Sequence, residues 1–246
     1  MNPLVIAIDS STTATKAIVV DTEGKVLALG RQDIDLLSPE QGFGEHDPRQ
    51  WWTSTRDAVA QALAQLTPAE KERIAAFGIT HQRESFAPFA ADGTPLRNGI
   101  LWLDIRAADQ VQRYGAPEIH ALSGRPADVT PGLYKMAWLK ENEPESLAKA
   151  DKVTTVSAYI AFCLTGKWVD SAACADSLSL SNIKTLEYDD GLLEIAGVRR
   201  EQMADLVKPG QVLGTLKKSI AEEWGIAEIP IVAGCGDGQA AGVGAA

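Results

Sequence analysis

Cysteine is scarce. The 246 residues hold three, Cys163, Cys174 and Cys235, far apart and without a CxxC pair. That spacing excludes a zinc ribbon or a disulfide framework and fits a reducing cytoplasm. An excess of basic residues is lacking as well: 23 Lys+Arg stand against 33 Asp+Glu, a formal charge of −10. A chain this acidic has no footprint for nucleic acid or for an anionic membrane surface. No apolar run approaches the ~20 residues of a membrane span. The opening Met-Asn-Pro-Leu-Val has no charged segment of the secretory kind. His46, His81 and His120 lack metal-ligand spacing. Repeats, low-complexity tracts and linker-like stretches are missing too. What is there is 45% hydrophobic and 23% charged residues, enough apolar surface for a folded core.

The pattern along the chain is mixed α/β. Leu4 to Ile8, Ala17 to Val20 and Lys25 to Leu29 read as three strands joined by short polar turns. Connections that short predict an antiparallel meander. Asp47 as N-cap and Pro48 at the first helical position open a helix, with Trp52, Thr55, Val59, Ala62, Leu63 and Leu66 on its inner face. Ile74 to Ile79 and Ile100 to Leu103 read as strands. The middle is helical at Arg106 to Gln112, Leu133 to Glu141 and Ala158 to Leu164. Asp170 to Ile183, rich in Ser and Ala, fits strand or loop. Ile229 to Ala233 is a buried-type strand running into Gly234-Cys-Gly-Asp-Gly238. One mixed α/β domain with a helical insertion is expected. It ends in a small-residue helix start, an odd stopping place that suggests a piece of a longer chain.

Four segments could carry chemistry. In Asp9-Ser-Ser-Thr-Thr-Ala-Thr-Lys16 a carboxylate closes a strand, and small hydroxylated residues follow. Such a loop lets amides and hydroxyls approach an anion, and Asp9 could hold Mg²⁺ through water. A capped hairpin turn is the plain alternative. His81-Gln-Arg-Glu84 sits at a strand's C-terminal end, where α/β sheets bind ligands. Arg83 offers forked donors and Glu84 two acceptors, a set suited to a polyhydroxylated ligand; a solvated ion pair is the alternative. Trp102 and Asp104, two apart on a strand, would share a face as an aromatic platform beside a carboxylate, although Trp102 could equally be core. In Gly234-Cys-Gly-Asp-Gly-Gln239, glycines permit close backbone approach at a helix start. Asp237 is placed there either to take a proton from a hydroxyl or to cap the helix.

Taken in order, these segments resemble the N-terminal domain of the FGGY carbohydrate kinases, the family of glycerol kinase, xylulokinase and ribulokinase. Ile6 to Asp21, Gly44-Glu-His-Asp-Pro48 with Trp51-Trp52, Gly78 to Glu84, Leu101 to Arg106, Lys135 to Trp138, Asn182 to Asp190 and Val232 to Gly244 carry the likeness. The resemblance implies an actin-like (ribonuclease H-like) ATPase fold of two lobes. Residues 1–246 would be the first, sugar-binding lobe, and the nucleotide lobe would lie outside this chain, so this lobe alone would fold yet phosphorylate nothing at a useful rate. It implies transfer of the ATP γ-phosphoryl group to a primary hydroxyl, mostly by positioning and charge neutralisation. Asp237 would be the catalytic base and also touch the sugar, with Arg83, Glu84, Trp102, Asp104 and Thr130. Ser11, Thr12, Thr13, Lys16 and Gly236 would hold ATP phosphates, and Asp9 would hold Mg²⁺ through water. A cytoplasmic enzyme is implied, with a homodimer possible for the full-length protein.

The sequence departs from the family at several points. Ser11 replaces a usual glycine, a change free of strain only if its φ stays negative. Thr130 falls where glycerol kinases carry a substrate-contacting aromatic, and Gly238 where they have glutamine. Asp104 is typical of ketose kinases and Arg83-Glu84 of glycerol kinases. The resemblance therefore implies a ketopentose such as xylulose first and glycerol second. A non-catalytic sugar-sensing relative has no physical need for both Asp9 and Asp237. An actin-like or chaperone ATPase has no reason for Arg83-Glu84 and Trp102.

Overall fold

The computed structural model describes residues 2–245. A six-stranded sheet runs in the order Val212–Thr215, Pro230–Val232, Ile74–His81, Leu4–Ser10, Ala14–Asp21 and Val26–Asp33. The last three form the expected antiparallel meander, with Asp9 opposite Lys16 across the ladder. Ile74–His81 and Pro230–Val232 run parallel to this first strand. Three strands therefore finish at one edge of the sheet, and each leads into one of the loops singled out above. In Leu4–Ser10 burial alternates. Leu4, Ile6 and Ile8 are sealed in the core, and Asp9 faces the other way, half-buried.

Helix Arg49–Leu63 covers the meander. Its approach is close: a Cβ on Gly30 would lie 1.9 Å from the Ala58 carbonyl oxygen, so only glycine fits. The helix starts one residue later than expected. Pro48 already has helical angles (φ −61°, ψ −20°), and Asp47 Oδ1 accepts the Arg49 amide at 3.0 Å. Thr55, Val59, Ala62, Leu63 and Leu66 face inward as expected, but Trp51 rather than Trp52 is the fully buried tryptophan. Trp51 Nε1 donates to His46 Nδ1 at 3.0 Å, while Trp52 stays half-buried beside Trp224.

A second sheet, Glu45–His46, Gly99–Ile100, Phe86–Phe89 and Lys152–Thr155, joins this core to a helical half. That half packs Phe86, Tyr134, Met136, Leu178 and Leu192 into its own cluster. Phe86–Phe89 is buried at every residue, so it carries no alternation to read in sequence. The expected strand Ile100 to Leu103 stops at Ile100, and turns follow to Ala107. The expected shared face is therefore absent: Trp102 is 42% exposed and Asp104 is fully buried. The Ser/Ala-rich stretch breaks into Val169–Ser171, a helical turn Ala172–Ala175, a tighter turn Asp176–Leu178 and Ser181–Asn182. Among the described residues no helix is long and apolar enough to cross a membrane.

Candidate functional site

The three strand ends bring Asp9, Arg83, Glu84 and Asp237 to one cleft. Arg83, Glu84, Trp102 and Asp237 line a cavity of about 220 Å³ within it. On one side, burial raises the Asp9 pKa, the nearby Asp237 raises it further, and Lys16 opposes the shift. Asp9 Oδ1 is buried without a hydrogen-bond partner. A lone buried acceptor beside a second carboxylate suits a cation. Among the described residues no group of three or more metal-ligating side chains forms, so a hard cation here would draw further ligands from water and phosphate.

The loop that carries Asp237 is tied down. Ser171 Oγ donates to the Gly234 carbonyl at 2.6 Å, and Thr80 Oγ1 to that of Cys235 at 2.8 Å. Gly236 leaves room for Arg83: a Cβ there would lie 2.3 Å from Arg83 Cδ and push that side chain out of place. Asp237 then opens helix Asp237–Gly244, where amides favour negative charge. Its Oδ1 accepts the Gly238 amide at 2.7 Å. Across the cleft, Ser11 closes a tight turn: its amide and its hydroxyl both donate to the Ala14 carbonyl, at 3.0 and 2.8 Å. Ser11 is not among the residues with positive φ, so serine is unstrained there. Thr13 and Lys16 are exposed next to Asp9. The Thr12 hydroxyl turns inward, accepting from Trp102 Nε1 at 2.9 Å and donating to Gln82 Oε1 at 3.3 Å. It is engaged by protein, which leaves the loop's backbone to meet an anion.

Arg83 and Glu84 do not pair with each other. One nitrogen of Arg83, Nη2, donates to both oxygens of Asp176 at 2.7 Å, and Arg125 bonds Glu84 Oε1 at 2.8 Å. Glu84 has φ +63°, a conformation costing a non-glycine residue about 1–3 kcal/mol, seen most often at functional sites. Its amide donates to Ser177 Oγ at 3.1 Å, which helps hold it. Burial raises the Glu84 pKa against the pull of Arg125, Arg83 and Lys135. Asp176 and Arg125 were not singled out in the sequence. A lone carboxylate in a Ser/Ala run was the signal for Asp176, and none marks Arg125.

Two expected sugar contacts lie elsewhere. Asp104 is fully buried, and its carboxylate accepts from Arg106 Nε and Nη2 at 2.7–3.0 Å and from the Gly44 amide at 2.7 Å. Its acceptors are spent on the framework. Thr130 is not among the cavity's lining residues; its hydroxyl donates to Asp128 Oδ2 at 3.1 Å. Instead, Lys135 reaches the site from behind. It is buried, and its Nζ donates to the carbonyls of Leu101 (2.7 Å), Trp102 (3.0 Å) and Thr130 (2.9 Å). Burial pushes its pKa down to about 7, while three carbonyl acceptors are the partner set of an ammonium group. His81, fully buried under the cleft without a partner at either ring nitrogen, is pushed down to about 4 by burial.

Comparison with known proteins adds a family and relatives. The model of the N-terminal domain of the FGGY family of carbohydrate kinases matches residues 4–244. A glycerol kinase of Thermococcus gammatolerans is 34% identical over 249 residues, covering 98% of this chain and 49% of its own length. A xylulose kinase of Escherichia coli is 29% identical over 244 residues, covering 97% and 49%. Among solved structures, a ligand-bound xylulose kinase of Lactobacillus acidophilus superposes with a TM-score of 0.91 at 29% identity, over 98% of this chain and 50% of that one. A gluconate kinase of the same organism gives 0.90 at 29%, over 97% and 49%. The chain spans about half the length of the curated relatives it matches. The architecture shared with these kinases is the actin-like one.

Proposed function

The chain belongs to the FGGY family of carbohydrate kinases, and from that premise we propose that it is the sugar-binding lobe of an enzyme phosphorylating a primary hydroxyl of a neutral ketose or polyol. One observation carries this reading. Asp237, Arg83, Glu84 and Trp102 line one cavity, and Asp9 lies close enough to Asp237 for the two charges to interact. Asp237 orients the acceptor hydroxyl and takes its proton, held at a helix start by a tethered loop. Trp102 presents its half-exposed ring to the carbon chain. Arg83 and Glu84 meet hydroxyls without changing the charge of the pocket, because each already has an ionic partner. That pairing favours a neutral substrate over a sugar acid such as the one named for the gluconate kinase neighbour.

The unpartnered Asp9 Oδ1, opposite Lys16 in the ladder, fits a magnesium ion held through water. The backbone of Ser11 to Thr13 and the glycine at 236 fit phosphate oxygens. Magnesium-ATP supplies the transferable phosphoryl group. As a family marker rather than a contact, Asp104, typical of ketose kinases, supports a five-carbon ketose such as xylulose ahead of glycerol. ADP release by the full-length protein, with both lobes present, in a panel of neutral ketoses and polyols tests the reading. Sugar-dependent release with a pentulose ahead of glycerol is expected. Release that no sugar or polyol stimulates would overturn it.

A further inference from the structure

Gln82 is buried between the two halves of the cleft, 1% exposed, and touches neither the 220 Å³ cavity nor open solvent. Its side chain closes a ring of hydrogen bonds. Trp102 Nε1 donates to Thr12 Oγ1 at 2.9 Å, and Thr12 Oγ1 donates to Gln82 Oε1 at 3.3 Å. In the other direction, the Trp102 backbone amide donates to Ser85 Oγ at 3.1 Å, and Ser85 Oγ donates to the same Gln82 Oε1 at 3.1 Å. Both N–H groups of Trp102 therefore end, through one hydroxyl each, on the two lone pairs of a single oxygen. The amide's other end, Nε2, donates to the Ser11 carbonyl at 3.3 Å, which fixes which way the amide points. Ser85 and Gln82 are both buried, so no water competes for the bond between them, while the Trp102–Thr12 link lies at the exposed end of the ring.

From this ring we infer that Gln82 is a positioning residue that couples the sugar side of the cleft to the phosphate loop. The inference rests on the kinase reading above and adds to it a mechanism of cooperation between the two ligands. The indole of Trp102 is the exposed member, 42% accessible at the cavity wall. A sugar lying on the ring fixes its rotamer and with it the direction of Nε1–H. That donor holds Thr12, and Thr12 with Gln82 holds the Ser11–Thr12 backbone in the shape that meets phosphate. Sugar binding thus orders the phosphate loop before nucleotide arrives, and by linkage the nucleotide tightens sugar by the same factor. Lys135 clamps the Trp102 carbonyl from behind, so the indole swings about a fixed backbone.

The test is the affinity of the full-length protein, with both lobes present, for ADP with and without saturating neutral sugar, measured by calorimetry. The unmodified protein is compared with Gln82→Met, which keeps volume and removes the ring's hub, and Thr12→Val, which cuts one link at a half-buried position. The unmodified protein should bind ADP about fivefold or more tightly when sugar is present. In both variants that factor should fall to near one, whatever Thr12→Val does to ADP binding on its own, and Gln82→Met, at a residue outside the cavity, should keep both separate affinities. Thr12→Ser should restore the coupling, which a merely structural role for the threonine methyl would not. Coupling that survives in both variants, or that is absent from the unmodified protein, overturns the inference. An unmodified protein that binds ADP but no sugar or polyol overturns the kinase reading instead, and the inference with it.

Discussion

The two sides of the cleft keep their charges differently. On the phosphate side, Asp9 and Asp237 lie near one another, the Asp9 pKa is raised, and one buried carboxylate oxygen has no partner. On the sugar side, Arg83 is answered by Asp176 and Glu84 by Arg125, with bonds of 2.7–2.8 Å. A region with surplus negative charge around a buried, unpartnered carboxylate oxygen favours a cation. A paired region gains most from a ligand that brings hydroxyls and no charge. Under the proposed function the contrast fits magnesium and phosphate on one side and an uncharged sugar on the other, and each prediction below attacks one half of it.

The largest effect is expected at Asp237. Asp237→Asn should lower turnover by about 10²–10⁴-fold, the usual loss when a general base is removed, and leave sugar affinity within a few-fold. Steady-state kinetics with calorimetry separates the two; near-normal turnover would reduce Asp237 to a helix-start residue. Next comes Lys135→Met, which leaves the carbonyls of Leu101, Trp102 and Thr130 without their buried donor. A loss of about 2–4 kcal/mol in urea unfolding is expected, and an unchanged midpoint would show that the ammonium ties nothing together.

Arg83→Ala and Glu84→Ala should each raise the KM for sugar by roughly 10–100-fold, the worth of one charged hydrogen bond, and move the KM for ATP far less. Equal shifts for both substrates would blur the division between the two sides. The smallest effect concerns acid. Burial holds His46 at about 4 against an ordinary 6.5. The folded imidazole stays neutral where the unfolded one takes a proton, so its contribution is complete above pH 6.5 and lost as pH falls toward 4. The unmodified protein should therefore lose up to about 1.4 kcal/mol per pH unit more than His46→Asn in that window. Parallel stability curves for the two would contradict the burial argument.

Much of the scaffold was legible in the sequence because it rests on local periodicity and turn chemistry. The meander follows from short connections, and the Asp47-Pro48 helix start is displaced by a single residue. Phe86–Phe89 escaped because a strand buried on both faces has no period-two signature. Trp102 and Asp104 were misplaced for a related reason: the apolar run from Ile100 looked like a strand, yet Arg106 draws Asp104 into the interior and breaks it. In the site, Arg83, Glu84 and Asp237 announced themselves as polar residues at strand ends. Asp176, Arg125, Lys135 and Gln82 matter through partners far away in sequence, and long-range pairing leaves no local pattern. The alternative reading of Arg83-Glu84 as a mutual ion pair fails because the fold gives each a different partner.

The division of charge is tested most directly by weighing two ligands of equal length against the protein in calorimetry, a neutral ketose and the corresponding aldonate. With both arginines already neutralised, the ketose should bind at least about tenfold more tightly, and Asp176→Asn, which frees Arg83, should narrow the gap by strengthening the aldonate. An aldonate that binds the unmodified protein as tightly as the ketose would contradict the account.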